Sequence, residues 1–231
     1  MISDNINEVK KNIEKACLVS GRSIDDVCLI AVSKTKPIEM LLDAYNANMR
    51  DFGENKVQEM CDKMPQMPDD VKWHMIGHLQ TNKIKYIIGK TTLIHSVDSY
   101  HLAEAISRES VKNNCVTNIL LEVNVANEET KFGLTVDETI PAVEKISKLS
   151  GICVKGLMTI APFVDNPEQN REIFRKLKKL SIDITNKHID NVIMNILSMG
   201  MTNDYMVAIE EGATHVRIGT GIFGERNYNK L

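Results

Sequence analysis

Short runs of aliphatic and β-branched residues alternate with longer stretches whose apolar positions recur every three or four residues, from residue 27 almost to the end of the chain. The short runs predict strands over 27–32, 50–53, 73–77, 92–97, 118–125, 154–159, 192–197 and 214–218. Apolar runs of that length, bounded by turn formers, suit strands better than helices. Helical spacing fills the gaps, as in Ile38, Leu41, Leu42 and Tyr45 after the first run and Ile173, Leu177, Leu180 and Ile184 after the sixth. A further amphipathic helix leads the chain, with Ile6, Val9, Ile13 and Cys17 on one face. Eight strand-and-crossover units in 231 residues predict an α/β fold, a single (β/α)8 TIM barrel with an extra N-terminal helix. Closure leaves no strand edge exposed. An open, doubly wound sheet is the alternative, and the count of eight depends on the short, polar run at 50–53.

Composition narrows the function. With 43% hydrophobic and 26% charged residues, the chain can bury a core. No Gly/Ser-rich or Pro-rich linker divides it, so a single domain over residues 1–231 is expected. Twenty-eight basic against 31 acidic side chains leave a net charge of −3, which offers no general attraction to nucleic acid or an anionic membrane. Asp4, Glu8, Lys10, Lys11, Glu14 and Lys15 interrupt any secretory apolar segment, and no run approaches the roughly 20 apolar residues of a spanning helix. A cytoplasmic protein without membrane or nucleic-acid partners is the expectation. The five cysteines form no C-x-x-C pair and are odd in number, which predicts reduced, mostly buried thiols. The Lys176–Lys179 run reads as the wet face of the sixth helix.

In a barrel the chemistry collects where strands end at their carboxyl side. The first strand ends in Ser33-Lys34-Thr35-Lys36-Pro37, which places Lys34 at the mouth. Partial desolvation lowers an ammonium pKa, and the neutral amine can then attack a carbonyl. A solvated lysine at a strand end is the plainer alternative. Ser198-Met199-Gly200-Met201-Thr202-Asn203 follows the seventh strand and Gly219-Thr220-Gly221-Ile222-Phe223-Gly224 the eighth. Glycines that admit close backbone approach, hydroxyls of Ser198, Thr202 and Thr220, and a helix start at Asn203 suit an anion; ordinary tight turns would read the same way. Arg217 lies two residues before Gly219 and so on the same strand face. It could face the ring nitrogen of an aromatic cofactor and keep it unprotonated, or pair with an inward carboxylate such as Glu122. Together, an aldehyde-accepting lysine, a phosphate cup and a ring-nitrogen arginine describe pyridoxal 5′-phosphate. A metal hydrolase fits poorly, because His74 and His78 have no third ligand nearby; His74 is expected to pack and His78 to line the rim.

Longer segments carry a resemblance. Ala31-Val32-Ser33-Lys34-Thr35-Lys36-Pro37, Phe52-Gly53-Glu54-Asn55-Lys56-Val57-Gln58-Glu59, Trp73-His74-Met75-Ile76-Gly77-His78-Leu79-Gln80-Thr81-Asn82-Lys83, Lys155-Gly156-Leu157-Met158, Leu197-Ser198-Met199-Gly200-Met201 and Arg217-Ile218-Gly219-Thr220-Gly221-Ile222-Phe223-Gly224-Glu225-Arg226 resemble the pyridoxal phosphate homeostasis proteins over about residues 5–228. That family looks like the N-terminal barrel domain of alanine racemase standing alone. The resemblance implies a Schiff base of pyridoxal 5′-phosphate on Lys34, a phosphate lined by Ser198, Gly200, Gly219 and Thr220, a pyridine nitrogen facing Arg217, and a cofactor bordered by Asn55 and Met158. His78, Asn82 and Lys131, the last in Glu129-Thr130-Lys131-Phe132-Gly133, are implied rim residues.

The implied function is cofactor buffering or delivery in vitamin B6 homeostasis, with pyridoxal phosphate, amino acids and cofactor-dependent apoenzymes as partners. The alternative is a pyridoxal phosphate-dependent amino-acid racemase or isomerase. Racemisation needs two bases on opposite faces of the substrate carbon. Lys34 is one, and Tyr45, Tyr86, Tyr100, Tyr205 and Tyr228 include no evident second. A Schiff-base aldolase, with Lys155 as the rival lysine, is a third class. With no tyrosine to be supplied by a second copy, a monomer is expected.

Overall fold

The computed structural model describes residues 1–128 and 130–225, so Glu129, Arg226 and Tyr228 of the motifs above lie outside the described residues. Eight parallel strands close into a barrel in sequence order. They are β1 Cys28–Val32, β2 Asp51–Glu54, β3 Lys72–Met75, β4 Leu93–Val97, β5 Thr117–Glu122, β6 Ile152–Met158, β7 Val192–Met201 and β8 His215–Ile218. The barrel form is that expected from the periodicity, and the open sheet is excluded because β1 pairs with both β2 and β8. The polar run at β2 is a strand because its two faces do different work. Phe52 stands opposite Trp73 and packs on it, whereas Gly53 leaves room on the other face that a Cβ would close to 3.0 Å from Ile30 and Ile76.

The helices are α1 Ile2–Val19, α2 Ile38–Asn46, α3 Val57–Lys63, α4 Tyr100–Lys112, α5 Val136–Ile146, α6 Arg171–Thr185, α7 Tyr205–Glu210 and α8 Thr220–Phe223. The extra helix α1 buries Ile6, Val9, Ile13, Ala16 and Cys17 against α2, α7 and α8, each aliphatic side chain contributing roughly 1.5–3 kcal/mol. Asn5 donates to the Ile222 carbonyl, and Arg22 donates to the carbonyls of Ile209 and Ala213 at the end of α7. Thus α1 braces the two helices that follow β7 and β8. Lys176, Lys178 and Lys179 are exposed on α6 while Leu177 is buried, as the amphipathic pattern requires.

Four local expectations are corrected. Strand β7 continues four residues beyond residue 197 because Met201 still pairs with Arg217 across an irregularity at 198–201; Ser198 and Gly200 therefore belong to the strand, not to a following loop. Helix α7 starts at Tyr205 after the cap residue Asp204, so no helix begins at Asn203. After β3 the crossover is a 3-10 segment, Thr81–Tyr86, with Ile84 as its buried residue, too sparse an apolar face for an amphipathic helix. The cysteines are all free, but only Cys17 is fully buried; the other four are half-buried near the amino ends of β1, β5 and β6 and on α3. Among the described residues, no helix is long and apolar enough to cross a membrane, and no group of three metal-ligating side chains comes together.

Candidate cofactor-binding site at the carboxyl end of the barrel

A cavity of about 310 Å³ opens at the carboxyl ends of β1, β2 and β8, lined by Lys34, Asn55, Arg217, Gly219 and Thr220 among others. Five of the eight cofactor residues read from the sequence therefore converge on one space. That size is at the small end of the roughly 300–1,000 Å³ usual for ligand pockets. Met158, Ser198 and Gly200 do not line it. Met158 packs with Leu93 and Leu120. The Ser198 hydroxyl turns into the barrel, toward His95 and Arg217. Gly200 serves packing: its φ is +91°, and a Cβ there would stand 2.6 Å from the Ala208 Cβ of α7.

The turn after β1 holds Lys34 half-buried at the cavity wall. A network grips the residues on both sides of it. The Ser33 hydroxyl donates to Glu54 Oε1 at 2.6 Å, and Lys63 Nζ donates to the Ser33 carbonyl, to Glu54 Oε1 and to Glu59 Oε1. The Thr35 amide donates to Glu59 Oε1. Thr35 has φ +63°, a left-handed conformation costly for a β-branched residue, so this network holds the turn in a shape it would not adopt alone. Burial pushes the Glu54 carboxyl up, against the hydrogen bonds from Lys63 and Ser33 that favour its ionised form.

Arg217 is 4% exposed. Its Nη1 donates to Ser198 Oγ at 2.6 Å and its Nη2 to the Thr159 carbonyl at 2.9 Å, so its direct partners are neutral rather than the carboxylate of Glu122. Burial lowers its pKa to about 10, opposed by the charges of Glu122 and Asp204; the guanidinium is still a cation at neutral pH. Glu122 is pushed up to about 7 by burial and by Asp98, with Arg217 acting the other way.

Two features fit a planar aldehyde carrying a phosphate. The side-chain Oδ1 of Asn55 is buried without a partner, an acceptor left for something in the cavity. Gly219 would place a Cβ no closer than 3.5 Å to its neighbours, beside Val32, so the backbone between β8 and α8 presents bare to the cavity. Thr202, whose hydroxyl accepts from the Gly221 amide at 3.3 Å, and Asp204 also line it. The Asp204 carboxylate is fixed by Met201 N and Asn170 Nδ2.

Ile160, Pro162 and Phe163 from the loop after β6 close one side of the cavity; no motif or periodicity in the sequence marks them. Asp204 had a signal, as the residue capping a helix after a Gly-bearing strand. His78 does not line the cavity; it is exposed after β3, 3.1 Å from Asp98 and stacked on Phe132, while His74 is buried. Lys131 pairs with Glu128 at 2.5 Å.

A closed parallel barrel with a lysine after β1 and a buried arginine on β8 defines an alanine racemase-type barrel. The chain matches the family described as alanine racemase, N-terminal domain, over residues 5–227. Alanine racemase of Clostridium difficile 630 shares this fold with a TM-score of 0.78 at 14% identity, covering 99% of this chain but 58% of that one. At the level of family the chain belongs to the pyridoxal phosphate homeostasis proteins: that of Aquifex aeolicus is 46% identical over 226 residues, 97% of this chain and 98% of the relative. PipY of Synechococcus elongatus, solved with pyridoxal phosphate bound, is 30% identical with a TM-score of 0.83, covering 97% of this chain and all of that one.

Proposed function

We propose that the chain acts as one domain over residues 1–231 that holds pyridoxal 5′-phosphate on Lys34, buffering and delivering it in vitamin B6 homeostasis without efficient turnover of its own. The observation that carries this reading is the convergence of Lys34, Asn55, Arg217, Gly219 and Thr220 on one cavity. The cofactor-bound PipY and the name of the Aquifex relative support it. When bound, the cofactor supplies an aldehyde that condenses with amines and a ring that withdraws electrons.

The chain's own residues bind and orient. Lys34 provides the amine. The backbone at Gly219 and the hydroxyls of Thr220 and Thr202 supply donors for the phosphate, and Asn55 Oδ1 takes one hydrogen bond at the mouth. Arg217, a fixed cation, would donate to the ring nitrogen and keep it unprotonated, which would weaken the electron sink that carbanion chemistry needs. Among the described residues no tyrosine lines the cavity to serve as a second base. Handover to apoenzymes, a monomeric state and a cytoplasmic location complete the reading.

The test is absorbance of the purified protein with pyridoxal 5′-phosphate, followed by borohydride reduction and peptide mass mapping. A visible band and an adduct on Lys34, both lost in Lys34→Ala, are expected. An adduct mainly on Lys36 or Lys155 overturns the assignment. Exchange of an amino-acid Cα hydrogen into heavy water at enzyme-like rates would establish the racemase instead.

A further inference from the structure

The barrel interior is normally filled with layers of aliphatic side chains, yet here a file of polar groups runs through it. Arg217 Nη1 donates to Ser198 Oγ at 2.6 Å. Ser198 Oγ lies 2.9 Å from His95 Nδ1, His95 Nε2 lies 3.0 Å from His74 Nδ1, and His74 Nε2 lies 3.0 Å from Asp51 Oδ1. Ser198, His95, His74 and Arg217 are all buried. Asp51, at the start of β2, faces a separate cavity of about 460 Å³ at the amino end of the barrel, which Cys28 and Lys72 also line. The file thus connects the two ends of the molecule.

The donors and acceptors admit one direction. A guanidinium only donates, so Ser198 Oγ accepts from Arg217 and has its own proton to place. In a site sealed from water that proton needs an acceptor, and His95 Nδ1 is the one in reach. His95 then carries its proton on Nε2 and donates to His74 Nδ1; His74 carries its proton on Nε2 and donates to the Asp51 carboxylate. The opposite direction would require a third proton on the imidazole pair or a hydroxyl hydrogen with nowhere to go. Burial, with the Arg217 guanidinium behind it, holds His95 well below the ordinary histidine range, in keeping with a neutral ring.

We infer that Asp51, at the amino end of the barrel, is a positioning residue for Arg217 at the carboxyl end, acting through a hydrogen-bond file of fixed direction, Arg217 to Ser198 to His95 to His74 to Asp51. Its carboxylate requires a proton on His74 Nε2 and so supports from one end the tautomers that the Ser198 hydroxyl requires from the other; with that hydrogen taken by His95 Nδ1, the Ser198 oxygen is held toward one arm of the guanidinium. The remaining donors are thereby aimed at the cavity. That last consequence, the aim of Arg217 at a bound ring, rests on the function proposed above; the direction of the file does not.

The test is nitrogen-15 NMR of histidine-labelled protein at neutral pH, without and with pyridoxal 5′-phosphate. In the unsubstituted protein both His74 and His95 should be neutral with the proton on Nε2. In Asp51→Asn the carboxylate that holds the proton on His74 Nε2 is gone, and the amide can offer that nitrogen its oxygen or its NH2; both rings should therefore gain a population with the proton on Nδ1, and Asp51→Glu should restore the original pattern. Ser198→Ala should leave both tautomers as they were, because the anchor is at the other end; this variant also serves if Asp51→Asn does not fold. An imidazolium at either position, a proton on His95 Nδ1 in the unsubstituted protein, an unchanged His95 in Asp51→Asn, or a flip in Ser198→Ala each overturns the inference. On loaded protein the visible band should shift in Asp51→Asn and return in Asp51→Glu; flipped tautomers with an unmoved band would overturn the link to Arg217. Absence of any band in the unsubstituted protein would refute the cofactor reading, while the tautomers would still decide the file.

Discussion

Lys63 Nζ donates to Glu54 Oε1 at 2.8 Å in the sealed space beneath the turn that carries Lys34. The side chains are 9% and 0% exposed, so neither charge is relieved by water. Removing one member of such a pair leaves the other uncompensated, at a cost of about 3–5 kcal/mol. Lys63→Met should lose stability of that order in urea unfolding. Glu54→Gln in the same chain should recover part of it, since the abandoned charge is then gone. Because Lys63 also holds the Ser33 carbonyl, Lys63→Met should slow borohydride-trappable loading at Lys34. Full stability in Lys63→Met would show that the network does not hold this turn.

Gly200 and Gly21 both have positive φ, +91° and +66°, but differ in surroundings: a Cβ on Gly200 would press on Ala208 and Tyr205, whereas one on Gly21 meets nothing within 4 Å. Gly21→Ala should therefore cost only the backbone strain, about 1 kcal/mol. Gly200→Ala should add overpacking, for a total of about 2–4 kcal/mol, and should push α7 and the Thr202–Asp204 wall away from the cavity. Thermal unfolding of the two variants and their cofactor affinities make the comparison; equal melting points would show that α7 can move without cost.

Much of this arrangement was legible in the sequence, because its signals are local. Apolar runs reveal strands, and a reactive residue just past such a run falls at the mouth of a barrel, which is what marks Lys34, Gly219 and Thr220; Asn55 is marked only by the family resemblance. Ser198 was misplaced because its strand continues four residues past the apolar run, through a Gly-centred irregularity that no periodicity announces. Its hydroxyl is claimed by Arg217 and His95, contacts between strands 19 and 103 residues apart, and pairings at that range leave no mark in a single sequence. The same is true of the file from His95 to Asp51. Ile160–Phe163 was missed for a different reason: an irregular loop reaches the cavity through the shape of the chain, without a motif.

Asn55 Oδ1 is buried without a partner, and an unmade hydrogen bond of this kind costs about 1–3 kcal/mol. Asn55→Ala should consequently leave the cofactor-free protein as stable as before or more so. The same change should weaken pyridoxal phosphate binding by about tenfold, the equivalent of roughly 1.4 kcal/mol. Urea unfolding without cofactor and a binding titration separate the two effects. Stability that falls together with affinity would mean the amide supports the fold and not the ligand.

Glu122 titrates at about 7 in the folded protein, pushed up by burial and by Asp98, against an ordinary carboxyl value near 4.3. Between those values the native state holds a proton that the unfolded chain has released. Stability then falls as pH rises, because the slope follows the unfolded-minus-native proton count. The contribution is absent below the unfolded value, grows through the window from about 4.3 to 7, and levels off above it at roughly 4 kcal/mol of lost stability. Glu122→Gln carries no proton to lose, so its unfolding free energy should be flatter over that window and higher than that of the unsubstituted protein above neutrality. Loading with pyridoxal phosphate should preserve the sign, since the charges Glu122 senses are those of Asp98 and Arg217. Parallel pH profiles for the two proteins, measured by urea unfolding, would show instead that water or a rearranged Asp98 relieves the buried carboxylate.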